Sequence, residues 1–148
     1  MIIDETNLAI IRHLKDGRVP FKKIADDLGV SEGTIRARVR KLTDEGVLEI
    51  AGLVDPESIP DMSVVMVGVK VKDMDLVKKG EEFSQLRGVT SVCVVTGRYD
   101  LMITVMLDKN FNMLRFYTEQ VSRIDKVSSV ESFVVYKSFN LKLPMPNI

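Results

Sequence analysis

Arg36, Arg38, Arg40 and Lys41 place four bases within six positions, just ahead of a glycine at Gly46. Guanidinium groups offer a planar fork of donors that suits phosphate oxygens and the guanine edge. Arg36 and Arg40 lie four residues apart, so on a helix they share one face. A helix lying in the major groove of double-stranded DNA presents its side chains in that way. Lys22 and Lys23 stand upstream, where they can meet phosphates. Ser31, Glu32, Gly33 and Thr34 would form the first turn of the same helix, whose free N–H groups are further phosphate donors. The competing reading is a solvated basic face on an ordinary bundle helix. Formal net charge is zero over 148 residues, and acids slightly outnumber bases over residues 1–60. Nucleic-acid binding must therefore come from this local patch and not from a global field.

Other chemistry has little support. His13 is the one histidine and Cys93 the one cysteine, so histidine pairs, intrachain disulfides and four-cysteine zinc sites are excluded. His13 reads as a structural side chain on the first helix, and Cys93 as a small apolar residue in a valine-rich strand. The eight methionines are scattered and read as core filler. No glycine-rich phosphate loop of the nucleotide-binding types occurs. No enzyme activity, cofactor or metal is expected. Asp4, Glu5, Arg12 and His13 interrupt the first apolar runs, against a signal peptide. The apolar segments around 62–71 and 101–107 are of strand length, too short to span a bilayer. The expectation is a soluble cytoplasmic protein with no membrane partner.

The elements that must position the bases follow from periodicity. Ile3, Asn7, Ile10, Ile11 and Leu14 recur at helical steps, after a cap at Asp4 and before a stop at Gly17. Pro20 opens a second helix whose face is Phe21, Ile24, Ala25 and Leu28, and Gly29 ends it. Ser31 caps a third helix running to about Glu45, with Ile35, Val39 and Leu42 inward. The short helix, tight turn and longer helix form a helix-turn-helix. Val47 to Val54 then reads as a short strand, either a wing or a strand that pairs with the second half. The two prolines of 55–61 suit a linker. The expected organisation is a DNA-binding domain over 1–54, a linker over 55–61 and a second domain over 62–148.

That second domain parses as strand Met62–Lys72, helix Met74–Leu86, strands Val89–Thr96 and Leu101–Leu107, helix Phe111–Ile124 and strand Val127–Asn140. Leu76, Val77, Phe83 and Leu86 form the expected buried stripe of its first helix. The fold class is α+β: a winged helix-turn-helix followed by a βαββαβ ferredoxin-like sandwich. Between the central strands lies Thr96-Gly97-Arg98-Tyr99-Asp100. One reading is a plain hairpin turn with Asp100 capping backbone groups. The other is a ligand site, with the Asp100 carboxylate and nearby N–H groups holding the two ends of an amino acid.

Three runs together resemble the Lrp/AsnC family of bacterial and archaeal regulators. They are Asp4-x-x-Asn7-x-x-Ile10-Ile11, Ser31-x-x-Thr34-Ile35-x-x-Arg38-Val39-x-Lys41-Leu42 and Glu45-Gly46-Val47-Leu48. The resemblance covers essentially the whole chain and implies a transcription regulator whose third helix reads DNA. Arg36 and Arg40 are then expected on DNA, while Arg38 braces the fold or touches a phosphate. Gly97-x-Tyr99-Asp100 resembles the turn of the family's regulation-of-amino-acid-metabolism (RAM) domain. In the family a small-molecule effector, commonly an amino acid, sits in clefts between adjacent dimers. Carried over, its lining is Val94, Gly97, Tyr99, Asp100, Asn110, Phe133, Val134 and Val135. The resemblance also implies a homodimer that assembles into tetramers or octamers. Pro60 stands near the place where the family usually has a glycine, a departure that bears on the angle between the halves. Sirohaem decarboxylases resemble the same two-domain family but look to depend on histidines near their tetrapyrrole site, and the second half here has none.

Overall fold

A computed structural model describes residues 3–72 and 74–146. Residues 1, 2, 73, 147 and 148, which fall within the expected domains, lie outside that description. The chain divides into two compact units, Met1–Ala51 and Gly52–Ile148.

The first unit is three helices, α1 (Glu5–His13), α2 (Phe21–Leu28) and α3 (Glu32–Asp44). Asp4 caps α1 by accepting the Asn7 N–H at 2.7 Å, satisfying one of the donors a helix start leaves free. The helix closes at Leu14, short of Gly17, with the Leu14 N–H bonded to the Ile10 carbonyl at 3.0 Å and the Lys15 N–H to the Arg12 carbonyl at 3.3 Å. Gly29 follows α2 in the left-handed conformation, φ 67°, and lets the Val30 N–H return to the Ala25 carbonyl at 3.1 Å. Ser31 caps α3 through the Thr34 N–H at 3.1 Å. Ile10, Leu14, Ile24, Ala25, Ile35 and Val39 form the buried cluster, with Phe21, Leu28, Val30 and Leu48 packed around it.

In the second unit β2 (Ser63–Val71), β3 (Val89–Val94), β4 (Leu101–Leu107) and β5 (Val127–Val134) make one antiparallel sheet in the order β3-β4-β2-β5. The first helix is α4 (Leu76–Ser84). The second, α5, begins as Met113–Arg115 and runs on through a π-helical turn, Phe116–Gln120, and a 3₁₀ turn, Val121–Arg123. This is the βαββαβ order. Val65, Val67 and Val69 of β2 join Leu101, Ile103, Val105 and Leu107 of β4 in a core closed by Phe83, Phe111 and Phe116. Strand side chains alternate between faces, so Met66, Met102, Thr104 and Phe133 fall on the opposite face, half-buried or exposed.

Several boundaries differ from the sequence reading. The strand expected over Val47 to Val54 shrinks to β1 (Leu53–Val54), which pairs with β6 (Leu143–Pro144), the second of the two alternatives, and among the described residues it forms no wing. That pairing places residues 52–54 in the second unit. Residues 55–61, read as a linker, carry a 3₁₀ turn at Pro56–Ser58 tied to the C-terminal segment. Glu57 accepts from the Ser138 N–H at 2.7 Å, the Ser138 hydroxyl at 2.8 Å and Lys137 Nζ. The expected last strand to Asn140 ends at Val134 because the chain turns away to make these bonds. On α4, Val77 is exposed and Lys79 is buried. The buried stripe runs Leu76, Lys79, Gly80 and Phe83, a helical phase that leaves Val77 outside. Lys79 Nζ is bonded to Glu82 at 2.8 Å.

Candidate functional site

Helix α3 has two faces of different character. Ile35, Val39 and Leu42 are buried, which turns positions 33, 37, 40 and 44 outward at 100° per residue. Gly33, Arg36, Ala37, Arg40 and Lys41 line one open surface with Asp44 and Glu45. Small residues at 33 and 37 run down its middle, with Arg36 and Lys41 on the flanks and Arg40 further along. Nothing larger than a methyl stands between the helix backbone and whatever lies against that strip. The cations pair with carboxylates one turn along their own helix. Arg36 bonds Glu32 at 2.7 Å, Arg40 lies 3.7 Å from Asp44, and Lys41 3.9 Å from Glu45. Arg36 also lies over the Phe21 ring, 5.3 Å from its centre. Lys23, on α2, pairs with Asp27 at 3.3 Å, and Lys22 is exposed.

Arg38 does not join that face. Its Nη1 donates to both carboxylate oxygens of Asp4, at 2.9 and 2.7 Å, and to Asn7 Oδ1 at 3.0 Å. The hydrogen bond from Arg38, followed by that from the Asn7 N–H, holds the Asp4 carboxyl below its ordinary range. The Arg38 side chain thus joins α3 to the start of α1.

The turn after β3 is pinned on every side. The Asp100 N–H donates to the Val69 carbonyl at 2.9 Å, and the Asp100 carbonyl accepts from Val95 at 3.0 Å. Its carboxylate accepts the Val71 N–H at 2.9 Å and Lys70 Nζ at 3.2 Å, where the register between β2 and β5 slips at Lys70/Val71. The Val71 N–H, then Lys70, lowers the Asp100 pKa. So the carboxylate read as a holder of an ammonium end accepts bonds from the chain's own Val71 N–H and Lys70. Gly97 takes φ 113°, a conformation that favours glycine. The Tyr99 ring lies flat against Gly68, where a Cβ would stand 2.7 Å from it, and meets Phe133 edge-on with centres 6.0 Å apart.

The eight expected effector residues do not form one cluster in a single chain. Gly97, Tyr99, Asp100 and Phe133 gather at one end of the sheet. Val135 bonds back to Val64 near the other end, about 17 Å along β2 from Val69 at strand rise. Asn110 follows the far end of β4, its N–H on Asp108 Oδ1 at 2.7 Å. Val94 and Val134 pair with the buried Leu101 and Val65 and so belong to the helix-covered side.

Residues 3–43 match the AsnC-type helix-turn-helix domain, and residues 64–142 match the Lrp/AsnC ligand binding domain. The chain belongs to the Lrp/AsnC family. It is 30% identical over 135 residues to an uncharacterized HTH-type transcriptional regulator of Pyrococcus horikoshii, covering 90% of this chain and 85% of that one. The HTH-type transcriptional regulator FL11 of the same organism is 27% identical over 146 residues, covering 97% and 96%. Among solved structures, Escherichia coli AsnC superposes with a TM-score of 0.66 at 25% identity, over 93% of this chain and 95% of that one. A Neisseria meningitidis transcriptional regulator solved as an L-Met complex gives 0.69 at 21% identity, over 98% and 97%. This Lrp/AsnC chain is a transcriptional regulator with a DNA-binding helix-turn-helix and a ligand-binding domain, and not an enzyme.

Sequence reasoning missed two groups of residues in this Lrp/AsnC chain. Ala37 completes the small strip with Gly33, and its four-residue spacing from Gly33 was the available signal. Glu57 was read as linker. Its partners stand 80 and 81 positions away, so no local pattern announces them. Among the described residues no group of His, Cys, Asp and Glu is placed to hold a metal, and no helix is long and apolar enough to cross a membrane.

Proposed function

We propose that the chain is a cytoplasmic regulator that binds a two-fold symmetric duplex DNA site as a homodimer, through the outer face of α3. Arg36 and Arg40 read base edges, while Lys41, Lys22, Lys23 and the first turn of α3 (Ser31, Glu32, Gly33, Thr34) take phosphates. The observation that carries this reading is the smooth Gly33–Ala37 strip, with exposed cations beside it whose carboxylate partners are one turn away. Exposed pairs of that kind contribute little, so phosphate can replace the carboxylates at small cost.

An amino acid or a related small molecule then shifts DNA affinity by binding in clefts between dimers of a tetramer or octamer. The ligand-binding domain and the L-Met complex of the Neisseria neighbour support that class of ligand. The separation of Asn110 and Val135 from Gly97, Tyr99 and Asp100 supports a cleft shared between copies. In that cleft the pinned Asp100 shapes the turn, and backbone N–H groups meet the ligand.

The test is anisotropy of duplexes from the region upstream of its own gene, across salt concentrations, beside a random duplex. Saturable binding with a steep salt slope, shifted by one of the proteinogenic amino acids, supports both parts. Binding no tighter than to the random duplex, with or without amino acids, overturns the DNA reading. Specific binding that no amino acid shifts overturns the effector reading alone.

A further inference from the structure

Lys23 of α2 and Arg36, Arg40 and Lys41 of α3 each pair with a carboxylate one turn along their own helix, whereas Arg38 hydrogen-bonds side chains at the start of α1. It meets Asp4 at 2.7 and 2.9 Å and Asn7 at 3.0 Å through a single nitrogen, across 34 and 31 residues of sequence. Asp4 is at the same time the cap of α1, and Asn7 is a buried polar side chain of that helix, 5% exposed. One guanidinium thus fastens the middle of α3 to the first turn of α1. The apolar contacts of α3 come from Ile35, Val39 and Leu42 on one stripe. Apolar packing is non-directional, so such a stripe tolerates small rotations and slides of the helix. A charge-assisted hydrogen bond to a capped helix end does not.

We propose that Arg38 is a positioning residue for DNA recognition: through Asp4 and Asn7 it holds α3 at the rotation that aims Arg36 and Arg40, and it makes no DNA contact itself. This rests on the DNA reading above. It makes a prediction of unusual sign. Asp4→Asn removes a negative charge from a protein that binds a polyanion, and a purely electrostatic effect would strengthen binding. Positioning requires that it weaken. Asparagine caps a helix about as well as aspartate, so α1 stays capped and only the hold on Arg38 is loosened.

The experiment compares the full chain with Asp4→Asn, Arg38→Ala, the double variant and Arg36→Ala. The probes are a duplex selected from a randomised pool on the wild type, and a random duplex. All measurements are made below the melting onset of every variant. Asp4→Asn and Arg38→Ala are each expected to cut the ratio of selected to random binding by about tenfold, and the double variant by no more than either alone. Their salt slopes stay at the wild-type value, as does that of Arg36→Ala, which removes a base contact and not a phosphate contact. A slope lowered by about one in Arg38→Ala, or selective binding by Asp4→Asn equal to or tighter than wild type, overturns the proposal. If the wild type itself selects no sequence, the DNA reading fails, and this proposal falls with it. That case is told apart because every variant then resembles the wild type.

Discussion

Arg36 and Arg40 keep 64% and 83% of their side-chain surface exposed beside Glu32 and Asp44, while Asp100 keeps 22% beside Lys70. The first pairs join residues of one helix. Asp100 bridges a turn to a strand about thirty residues away, through a backbone N–H as well as a lysine, and Glu57 ties a turn to the C-terminal segment in the same manner. The pairs within α3 are exposed contacts that water or phosphate can exchange. Charge that shapes the fold is engaged by backbone donors, which cannot leave. Arg38 also joins distant parts of the fold, through the side chains of Asp4 and Asn7, despite its place in a run of exposed bases.

The largest expected effect tests the exchangeable side. Replacing Arg36 and Arg40 together by alanine should cost about 1–3 kcal/mol of operator binding for each base contact removed, with the melting temperature barely changed. Titrations of the double variant against wild type measure it, and a fall in stability as large as the fall in binding would erase the contrast. On the fixed side, Gly68→Ala places a Cβ 2.7 Å from the Tyr99 ring and should destabilise by about 1–3 kcal/mol. Denaturant midpoints check this, and adding Tyr99→Ala should recover part of the loss by removing the ring.

A smaller effect is expected from acid. The bonds from Lys137 and Ser138 hold Glu57 at about 2, against 4.5 ordinarily. Its folded pKa lies below its unfolded one, so the unfolded chain binds more protons between those values and stability rises with pH there. The tie is complete above about pH 5 and lost as pH falls toward about 2. Glu57→Gln should therefore lower the urea midpoint near neutrality and converge on wild type as the solution is acidified. A constant gap at every pH would show that the carboxylate charge is not what holds the segment. Smallest of all, Asp100→Asn can still accept the Val71 N–H and should lower the melting temperature slightly. If an amino-acid ligand is found, calorimetry should give an unchanged affinity for this variant, because the carboxylate is already engaged by the chain.

Much of the fold was legible because it is written locally. Asp4, Ser31, Gly29 and Gly46 punctuate three helices with the capping chemistry that helices need, and Leu101–Leu107 was bounded correctly by its run of β-branched and apolar residues. The outer face of α3 followed from the spacing of Ile35, Val39 and Leu42. Val77 was misplaced because α4 starts at Leu76 and its buried phase includes a lysine, whose long apolar stem can line a core. The strand over Val47 to Val54 was overextended because apolar content alone does not supply a hydrogen-bonding neighbour.

The sequence by itself determined the order of elements, the helix-turn-helix, the stripe that buries α3 and the cations left outside it, since periods of 3.6 and 2 and the capping residues are local properties. Only the tertiary structure decided that Arg38 turns to Asp4, that Asp100 is filled by β2, that Glu57 holds the C-terminal segment, and that the expected effector residues lie at two ends of a sheet. The first three of those facts join groups about thirty to eighty residues apart. Hydrogen bonds and ion pairs act over a few ångströms, so their partners exist only once the chain has folded.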